Sequence, residues 1–422
     1  MRLEIEKCVY GGAGLARADG KAIFVPFTLP GEVVEAHITE DKGSYANAEL
    51  DGVLDPSNER AAAPCDYFGQ CGGCQYQHAA YAQQVDLKVN ILRETLERAR
   101  IASIPEIISV SAEPLAYRNR VRLHIQREPF ALCYKKRASH SNLAVNRCPI
   151  AAPLLQRASA AATRIGSEFF QEFDEIEFFS NGDESELLLS LRTRHLVRNL
   201  PSALKEVCED LRQELPALAG ASVFSTSDAK HPDKHVAEWA AQALSYRVGD
   251  FAYSVSAGSF FQVNRFLVSQ LVELVTAEFS GGLAWDLYAG VGLFAQALGR
   301  NFGKIVAVEA APSSWNDLRR NLSSDAHKTV RSGTLEFLHR PQGGTPDLVV
   351  IDPPRTGLGG KVVSLLTKVR PQTIVYVSCD PSTLSRDLRA LVESGYHLRT
   401  IHMVDLFPQT FHLESVTVLS LG

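Results

Sequence analysis

One cysteine lies between a short apolar run and the signals of a helix start. Residues 374–378 are β-branched or apolar apart from a final serine and contain no Gly or Pro, which predicts a short buried strand that ends at Cys379. Residues 380–382 are typical of a turn, and Ser382 or Thr383 can cap a following helix. A cysteine held before a helix N-terminus is exposed and its thiolate is favoured. The pattern predicts a nucleophile, and the alternative is a buried structural cysteine.

A glycine-bearing turn in the same third of the chain predicts a nucleotide-type ligand. Residues 283–287 predict a strand, residues 288–293 a turn that opens a helix, and residues 304–309 a second strand that ends in Glu309. Glycines allow a ligand to approach closely, and the acid takes ribose hydroxyls. The turn lacks the third glycine of a dinucleotide site. It therefore fits S-adenosylmethionine, which carries no phosphate, better than a dinucleotide. The alternative is an α/β domain without a cofactor.

Further strand ends converge on the same crevice. A strand over residues 347–351 ends at Asp352, and residues 397–404 and 415–421 predict two more strands, joined by a loop that includes Glu414. Parallel strands deliver functional residues from their carboxyl ends to one edge of a sheet. We therefore expect Asp286, Glu309, Asp352 and Cys379 to meet there, with Glu414 within reach, in a doubly wound α/β domain.

Three cysteines with the spacing C-x5-C-x2-C, at positions 65, 71 and 74, predict a metal site. The glycines between them let backbone N–H groups turn toward sulfur. The fourth ligand has candidates at Cys8, Cys133, Cys148, Cys208 and Cys379. Cys148 is favoured because Pro149 follows it, as is common in iron–sulfur ligation. Four thiolates bind either zinc or a [4Fe–4S] cluster, and the single C-x2-C favours the cluster over zinc or free thiols.

The elements that must position these residues belong to a soluble globular chain. The 422 residues are sufficient for two to four domains, and 45% hydrophobic with 22% charged residues is ordinary composition. No apolar run approaches a membrane span, and the N-terminus lacks a signal peptide's apolar core. We expect a cytoplasmic protein, in which eight cysteines serve metal binding or catalysis.

Charge is distributed unevenly along the first half of the chain. Residues 1–55 predict a small β-barrel, a fold that suits oligonucleotides, yet they carry five basic and ten acidic residues. The alternative is a barrel that only orients its neighbours. Residues 112–150 carry eight basic residues against Glu113 and Glu128, and those predicted to contact RNA are Arg118, Arg120, Arg122, Lys135, Lys136 and Arg137. The alternative for this stretch is a charged strand edge that discourages aggregation.

Taken together, these motifs resemble those of the RNA uracil-C5 methyltransferases. The resemblance rests on the segments Phe260–Asn264, Asp286–Gly292, Asp352–Arg355, Ser378–Asp387 and Phe407–Glu414. Residues 10–15 and 24–32 resemble a TRAM domain. With the cysteine pattern, they resemble the branch that acts on 23S ribosomal RNA.

The resemblance implies a mechanism and a set of site residues. Cys379 would add to carbon 6 of uracil, and carbon 5 would then take a methyl group from S-adenosylmethionine. Glu414 would remove the carbon-5 proton, and the target base must leave any stack to reach both groups. The residues implied to contact the cofactor are Gln262, Tyr288, Gly290, Glu309 and Asp352. The cluster ligands implied are Cys65, Cys71, Cys74 and Cys148.

The predicted organisation has three parts: a barrel over residues 1–56, a central α+β domain with the cluster and RNA-binding residues over 57–245, and a class I (Rossmann-like) methyltransferase domain over 246–422. RNA is the expected partner, with no membrane and no obligate protein partner. Two alternatives stay open: the same chemistry on transfer RNA, and a catalytically idle, cluster-containing RNA-binding protein. The presence of both Cys379 and Glu414 argues against the second, because binding alone requires neither.

Overall fold

The N-terminal strands close into a small barrel, as the sequence predicts. The structure is a computed structural model that describes residues 1–226 and 234–422. Alternating residues of the first strand, such as Leu3 and Ile5, are buried in the barrel interior. The barrel order is β1-β2-β3-β5-β4, with the bounds β1 Arg2–Cys8, β2 Ala13–Ala18, β3 Lys21–Pro26, β4 Val33–Asp41 and β5 Tyr45–Asp55.

A long helix and a short strand connect the barrel to the rest of the molecule. Apolar residues over 78–100 recur at a spacing that matches a helical period moderately and predicts a helix. The structure confirms it as α1, Tyr81–Arg98, whose buried face includes Val85, Leu92 and Leu96. Strand β6, Ile107–Val110, follows it. The cysteine segment lies between the barrel and α1, in irregular structure.

The central sheet has the strand order β13-β12-β11-β10-β7-β8-β9. One face of it packs against helices α2 and α4, around buried residues such as Phe178, Leu189 and Leu211. The bounds are β7 Arg120–Gln126, β8 Ala131–Lys135, β9 Asn142–Ala144, α2 Pro153–Ile165, α3 Ser167–Phe170, β10 Glu175–Ser180, β11 Leu187–Thr193, α4 Leu200–Glu214, β12 Leu218–Ser225 and β13 Lys234–Ala240.

The C-terminal third forms a doubly wound sheet with the order β18-β17-β16-β19-β20-β22-β21-β6. It follows a hairpin, β14 Ala243–Val248 and β15 Phe251–Ser256. The remaining bounds are α5 Val268–Thr276, β16 Gly281–Leu287, α6 Leu293–Leu298, β17 Phe302–Glu309, α7 Pro312–Asn321, β18 Lys328–Arg331, α8 Thr334–His339, β19 Leu348–Ile351, α9 Gly359–Val369, β20 Thr373–Ser378, α10 Pro381–Glu393, β21 Tyr396–Val404 and β22 Glu414–Leu421.

The strands of this sheet are apolar on both faces because helices cover both sides. Trp285 packs into one layer with Phe337, while Ala284 and Val350 face the other layer. Strand β6 pairs in parallel with β21, so a segment from the first third of the chain forms an edge of this sheet. Among the described residues, no helix has the length and apolar character needed to cross a bilayer.

Candidate functional site

The predicted nucleophile and base lie at the ends of two neighbouring strands. Cys379 directly follows β20, and Glu414 is the first residue of β22. The strand therefore begins one residue earlier than predicted, and Glu414 belongs to it rather than to the preceding loop. The two strands are antiparallel neighbours, with Ser378 opposite Ser415. Both side chains therefore open into one cavity of about 620 Å³.

Charge around Cys379 disfavours the thiolate, in contrast to the expectation from sequence. Asp380 caps α10 by accepting hydrogen bonds from the backbone of Ser382 and Thr383, so neither of those residues is the cap. Burial, and then the charges of Glu414 and Asp352, raise the pKa of the Cys379 thiol to about 12. The expectation was wrong because burial of the thiol, together with the carboxylates across the cavity, outweighs the helix N-terminus.

Two buried carboxyl groups define the electrostatics of this cavity. Burial raises the pKa of Asp352 to about 7. Burial, and then the charge of Asp352, raise the pKa of Glu414 well above its ordinary value, while Arg355 opposes that rise. One carboxyl oxygen of Glu414, Oε1, is buried without a hydrogen-bond partner in the described part of the chain. This oxygen is therefore free to accept or hold a proton.

A cation and an imidazole form another wall of the cavity, and neither was assigned a role from the sequence. The guanidinium of Arg355 lies 3.3 Å from the ring nitrogens of His412. Burial, and then the charge of Arg355, lower the pKa of His412 to about 4, so the imidazole is neutral. Arg355 therefore supplies fixed positive charge beside Cys379 and Glu414.

The other half of the cavity holds the residues predicted to contact the cofactor. Gln262, Tyr288, Gly290, Glu309 and Asp352 all line it. Glu309 Oε2 accepts a hydrogen bond from the Gly290 amide at 2.9 Å, which ties the end of β17 to the glycine turn. Gly290 has φ +56°, and a Cβ there would meet no atom within 4 Å. The turn thus leaves open space above a carboxylate, as a ribose site requires.

Asp286 does not reach this cavity, contrary to expectation. It is fully buried at the end of β16, and its Oδ2 accepts a hydrogen bond from the Ala295 amide in α6. Burial raises the pKa of Asp286 to about 8. This hydrogen bond joins β16 to α6, the two elements on either side of the glycine turn.

The four predicted cluster ligands share a second cavity, of about 350 Å³. Cys65, Cys71, Cys74 and Cys148 all line it, with Tyr134 and Gln77 nearby. The segment is fastened to the central sheet because the Gly72 amide donates to the Lys135 carbonyl at 3.0 Å. Cys148 thus joins the three clustered cysteines, while Cys8, Cys133, Cys208 and Cys379 do not line this cavity.

Backbone N–H groups approach two of these sulfurs, as expected for thiolate ligation. The amides of Tyr67 and Phe68 face Cys65, and the amide of Gly73 faces Cys71. Without a bound cation, burial raises the pKa of all three clustered thiols, that of Cys74 to about 12. Within the described ranges, no three Cys, His, Asp or Glu side chains are grouped as a metal ion would require.

The residues predicted to bind RNA differ in availability. Arg122 is bound to Glu177 at 2.9 Å, and the guanidinium of Arg120 stacks on Phe179 and donates to the Ser259 carbonyl. Lys135 donates to Asn142, and Arg137 pairs with Glu49 of the barrel. Lys136 lies beside Cys71 in a β-bridge.

Arg118 lies between the two cavities and lines both of them, as does His412. Phe260, 64% exposed, stands at the rim of the larger cavity. The sequence placed Arg118 only on a basic strand, because nothing local signals a position between two sites. Phe260 lay within a recognised motif but received no role.

A parallel sheet whose strand ends carry a glycine turn, an acid and a reactive cavity has the architecture of a class I methyltransferase. The solved structure of the tRNA (uracil-54, C5)-methyltransferase from Pyrococcus abyssi, in complex with S-adenosyl-L-homocysteine, has the same fold. Its TM-score is 0.78 at 23% identity, with 99% of this chain and 100% of that chain covered.

The chain belongs to the tRNA (uracil-5-)-methyltransferase family. The family model matches residues 80–336 and 345–421, and a TRAM domain model matches residues 1–50. The protein is thus an RNA (uracil-C5)-methyltransferase, which confirms the class predicted from the motifs.

Two relatives span nearly the whole chain. An uncharacterized RNA methyltransferase of Aquifex aeolicus is 32% identical over 427 residues, covering 99% of this chain and 98% of its own length. The 23S rRNA (uracil(1939)-C(5))-methyltransferase RlmD of Pectobacterium atrosepticum is 30% identical, covering 96% of this chain and 90% of its own length.

Proposed function

We propose that this protein methylates carbon 5 of a uridine in 23S ribosomal RNA, through a covalent bond between Cys379 and carbon 6 of the base. The observation that carries the proposal is the placement of Cys379 and Glu414 at the ends of paired strands, in one cavity with Asp352. A thiol and a carboxyl group that line one cavity suit addition to a ring followed by proton removal.

The reaction assigns a separate step to each side chain. S-adenosylmethionine, when bound, supplies the methyl group. The Cys379 thiol loses its proton to solvent, and the sulfur adds to carbon 6 and makes carbon 5 nucleophilic. Carbon 5 then takes the methyl group, which leaves S-adenosylhomocysteine as the second product. Glu414 then removes the carbon-5 proton, and the carbon–sulfur bond breaks to restore the ring.

The charges in the cavity act on both reacting side chains. Burial and neighbouring carboxyl groups raise the pKa of Cys379 and Glu414, and the charge of Arg355 opposes that rise in both groups. A carboxyl group whose pKa is raised by burial is a stronger base once ionised. The residues proposed to hold the cofactor are Gln262, Tyr288, Gly290, Glu309 and Asp352.

Ribosomal RNA is proposed over transfer RNA because RlmD, a 23S ribosomal RNA enzyme, is 30% identical over nearly the full chain. The test is methyl transfer from labelled S-adenosylmethionine to unmodified ribosomal and transfer RNA in parallel, followed by nucleoside digestion. Labelled 5-methyluridine from ribosomal RNA supports the proposal. Label in transfer RNA alone would overturn the substrate and keep the chemistry, and a Cys379→Ala variant must abolish either product.

We further propose that Cys65, Cys71, Cys74 and Cys148 hold a [4Fe–4S] cluster. The support for the cluster is that all four cysteines line one cavity of about 350 Å³ and that the chain has a single C-x2-C rather than the paired spacing common in zinc sites. Iron and sulfide analysis of anaerobically purified protein tests this. Zinc without sulfide would contradict it, and Cys148→Ser should lower the iron content while Cys208→Ser should not.

A further inference from the structure

The loop before Glu414 is held by elements outside its own sheet. Gln409 lies in the middle of this loop, is only 5% exposed and has φ +70°, a left-handed conformation that glutamine rarely adopts. A residue remains in such a conformation only when its surroundings determine it. The contacts of Gln409 therefore identify what fixes the loop.

Helix α1 supplies one set of those contacts. Gln84 Oε1 accepts a hydrogen bond from the Gln409 amide at 2.9 Å, and Gln84 Nε2 donates to Gln409 Oε1 at 3.0 Å. One turn further, Lys88 donates to Asp405 at 2.6 Å and to the Phe407 carbonyl at 3.0 Å. Gln84 and Lys88 are both buried, so these bonds are shielded from water.

The cysteine segment supplies the other set. The amides of Gln75 and Tyr76, the two residues after Cys74, donate to the Gln409 carbonyl at 2.9 and 3.0 Å. Gln75 Oε1 also accepts from the Phe411 amide at 3.3 Å. The carbonyl, the amide and the side-chain oxygen of Gln409 are thus all bound by residues 75–84.

We propose that Gln84 and Gln409 are positioning residues, which hold the carboxylate of Glu414 in place relative to the target uracil. The segment after Cys74 contributes to this position through its hydrogen bonds to Gln409. The inference rests on the proposed function. Glu414 begins β22 only five residues after Gln409, so a loop that loses its clamp displaces the carboxylate. Misplacement of a catalytic group by about 1 Å can cost about 100-fold in rate.

The test compares two neighbouring glutamines of α1. Gln84→Met preserves side-chain length and removes both hydrogen bonds to Gln409, whereas Gln83→Met is the matched control on the same helix. We expect kcat for Gln84→Met to fall at least about tenfold, because the displaced Glu414 carboxylate slows only the proton-removal step. The KM for S-adenosylmethionine should stay unchanged.

A second readout separates positioning from general stability. Because proton removal is the slowed step, Gln84→Met should accumulate a methylated covalent protein–RNA adduct on natural RNA, and Gln83→Met should not. Hydrogen exchange of residues 405–414 should also be faster in Gln84→Met, with the rest of the sheet unchanged.

Each outcome decides the inference. Turnover of Gln84→Met equal to that of Gln83→Met, without adduct, would overturn it. If Gln84→Met does not fold, Gln409→Ala, which keeps the main-chain bonds, must show the same adduct and a smaller fall in kcat, and wild-type behaviour there would equally overturn it. Failure of the wild-type protein to form 5-methyluridine would instead reject the proposed function.

Discussion

The Cys379 thiol is neutral in the free protein because burial and two carboxyl groups oppose its ionisation. The charge of Arg355 opposes this effect, because it lowers the pKa of both Cys379 and Glu414. The nucleophile and the base are therefore both tuned by a single guanidinium.

The first prediction concerns pH. Glu414 must be ionised to accept a proton, and its pKa is raised, so kcat/KM should rise with pH through that raised value. Arg355→Gln removes the opposing charge and should shift this acid limb to higher pH, whereas Arg355→Lys, which keeps the charge, should shift it less. The pH–rate profiles of the three proteins give the answer, and superimposable acid limbs would contradict the role of Arg355.

The second prediction concerns Glu414 itself. Glu414→Gln retains the shape of the side chain but cannot take the carbon-5 proton, so turnover should fall by about 10²–10⁴. Addition of Cys379 and methyl transfer precede that step. A methylated protein–RNA adduct should therefore persist on denaturing gels, and loss of activity without any adduct would argue that Glu414 acts earlier.

At this scale the sequence predicts which residues meet but not their ionisation. Cys379 and Asp352 share a cavity as expected, because the carboxyl ends of parallel strands converge. Glu414 joins them because β22 runs antiparallel to β20 and begins beside its end. The raised pKa of Cys379 could not be predicted, since it depends on carboxyl groups from other strands. The neutral His412 is likewise a consequence of a tertiary contact with Arg355.

At the scale of elements, the barrel touches the active site directly. The Tyr10 hydroxyl donates to the Cys379 carbonyl at 3.3 Å, and its ring lies edge-on to Phe411 at 5.4 Å. The turn between β1 and β2 therefore supports both the nucleophile and the loop of the proposed base.

The third prediction tests that contact. Tyr10→Phe keeps the ring and loses one hydrogen bond, so kcat should fall by no more than about tenfold, in line with about 0.5–1.5 kcal/mol per bond. Tyr10→Ala should cost more, because the contact with Phe411 is also lost. Tyr45→Phe, on an exposed strand of the barrel, is the control, and equal effects of Tyr45→Phe and Tyr10→Phe on kcat would contradict the prediction.

The fourth prediction concerns the glycine turn. The folded-state pKa of Asp286, about 8, lies above its ordinary value of 3.8. Its contribution to stability is therefore complete only below that ordinary value, declines as pH rises and is lost by about pH 8. Asparagine has no such loss and can still accept from the Ala295 amide. The Tm of Asp286→Asn relative to wild type should increase from pH 5 to pH 9, by a few degrees, about 2–4 °C for each kcal/mol. A Tm difference that does not change with pH would refute the raised pKa of Asp286.

Elements with strong local signals are those that the sequence predicts well. The closed barrel and α1 follow from alternation and helical periodicity. The cap of α10 was assigned to Ser382 or Thr383 although Asp380 accepts both amide bonds, because several capping residues are adjacent. Strand β6 was not predicted, since four residues carry little pattern of their own.

At the scale of the whole molecule, the predicted division at residues 1–56, 57–245 and 246–422 stays a prediction. Helix α1 and strand β6 belong by sequence to the middle part, yet both contact the C-terminal sheet and its helices. The buried ion pair between Lys88 and Asp405 also joins the two parts.

The fifth prediction follows from that arrangement. A fragment of residues 246–422 leaves the β21 edge unpaired and Asp405 without Lys88, so it should be less stable and aggregate more readily than the full chain. A fragment that begins at residue 80 retains both partners. Thermal unfolding of the two fragments, followed by light scattering, checks this, and equal stability would favour an independent C-terminal domain.

The pairing of β6 with β21 also has a consequence for synthesis on the ribosome. Hydrogen-bond partners such as Tyr81 and Asp405 are separated by 324 residues, so the N-terminal half emerges long before its counterpart exists. Domains otherwise fold as units, in order, during translation at about 5–20 residues per second. Here the first third of the chain stays without these partners for about a minute at the lower rate and for a shorter time at the higher rate. The last strand to leave the ribosome completes the enzyme.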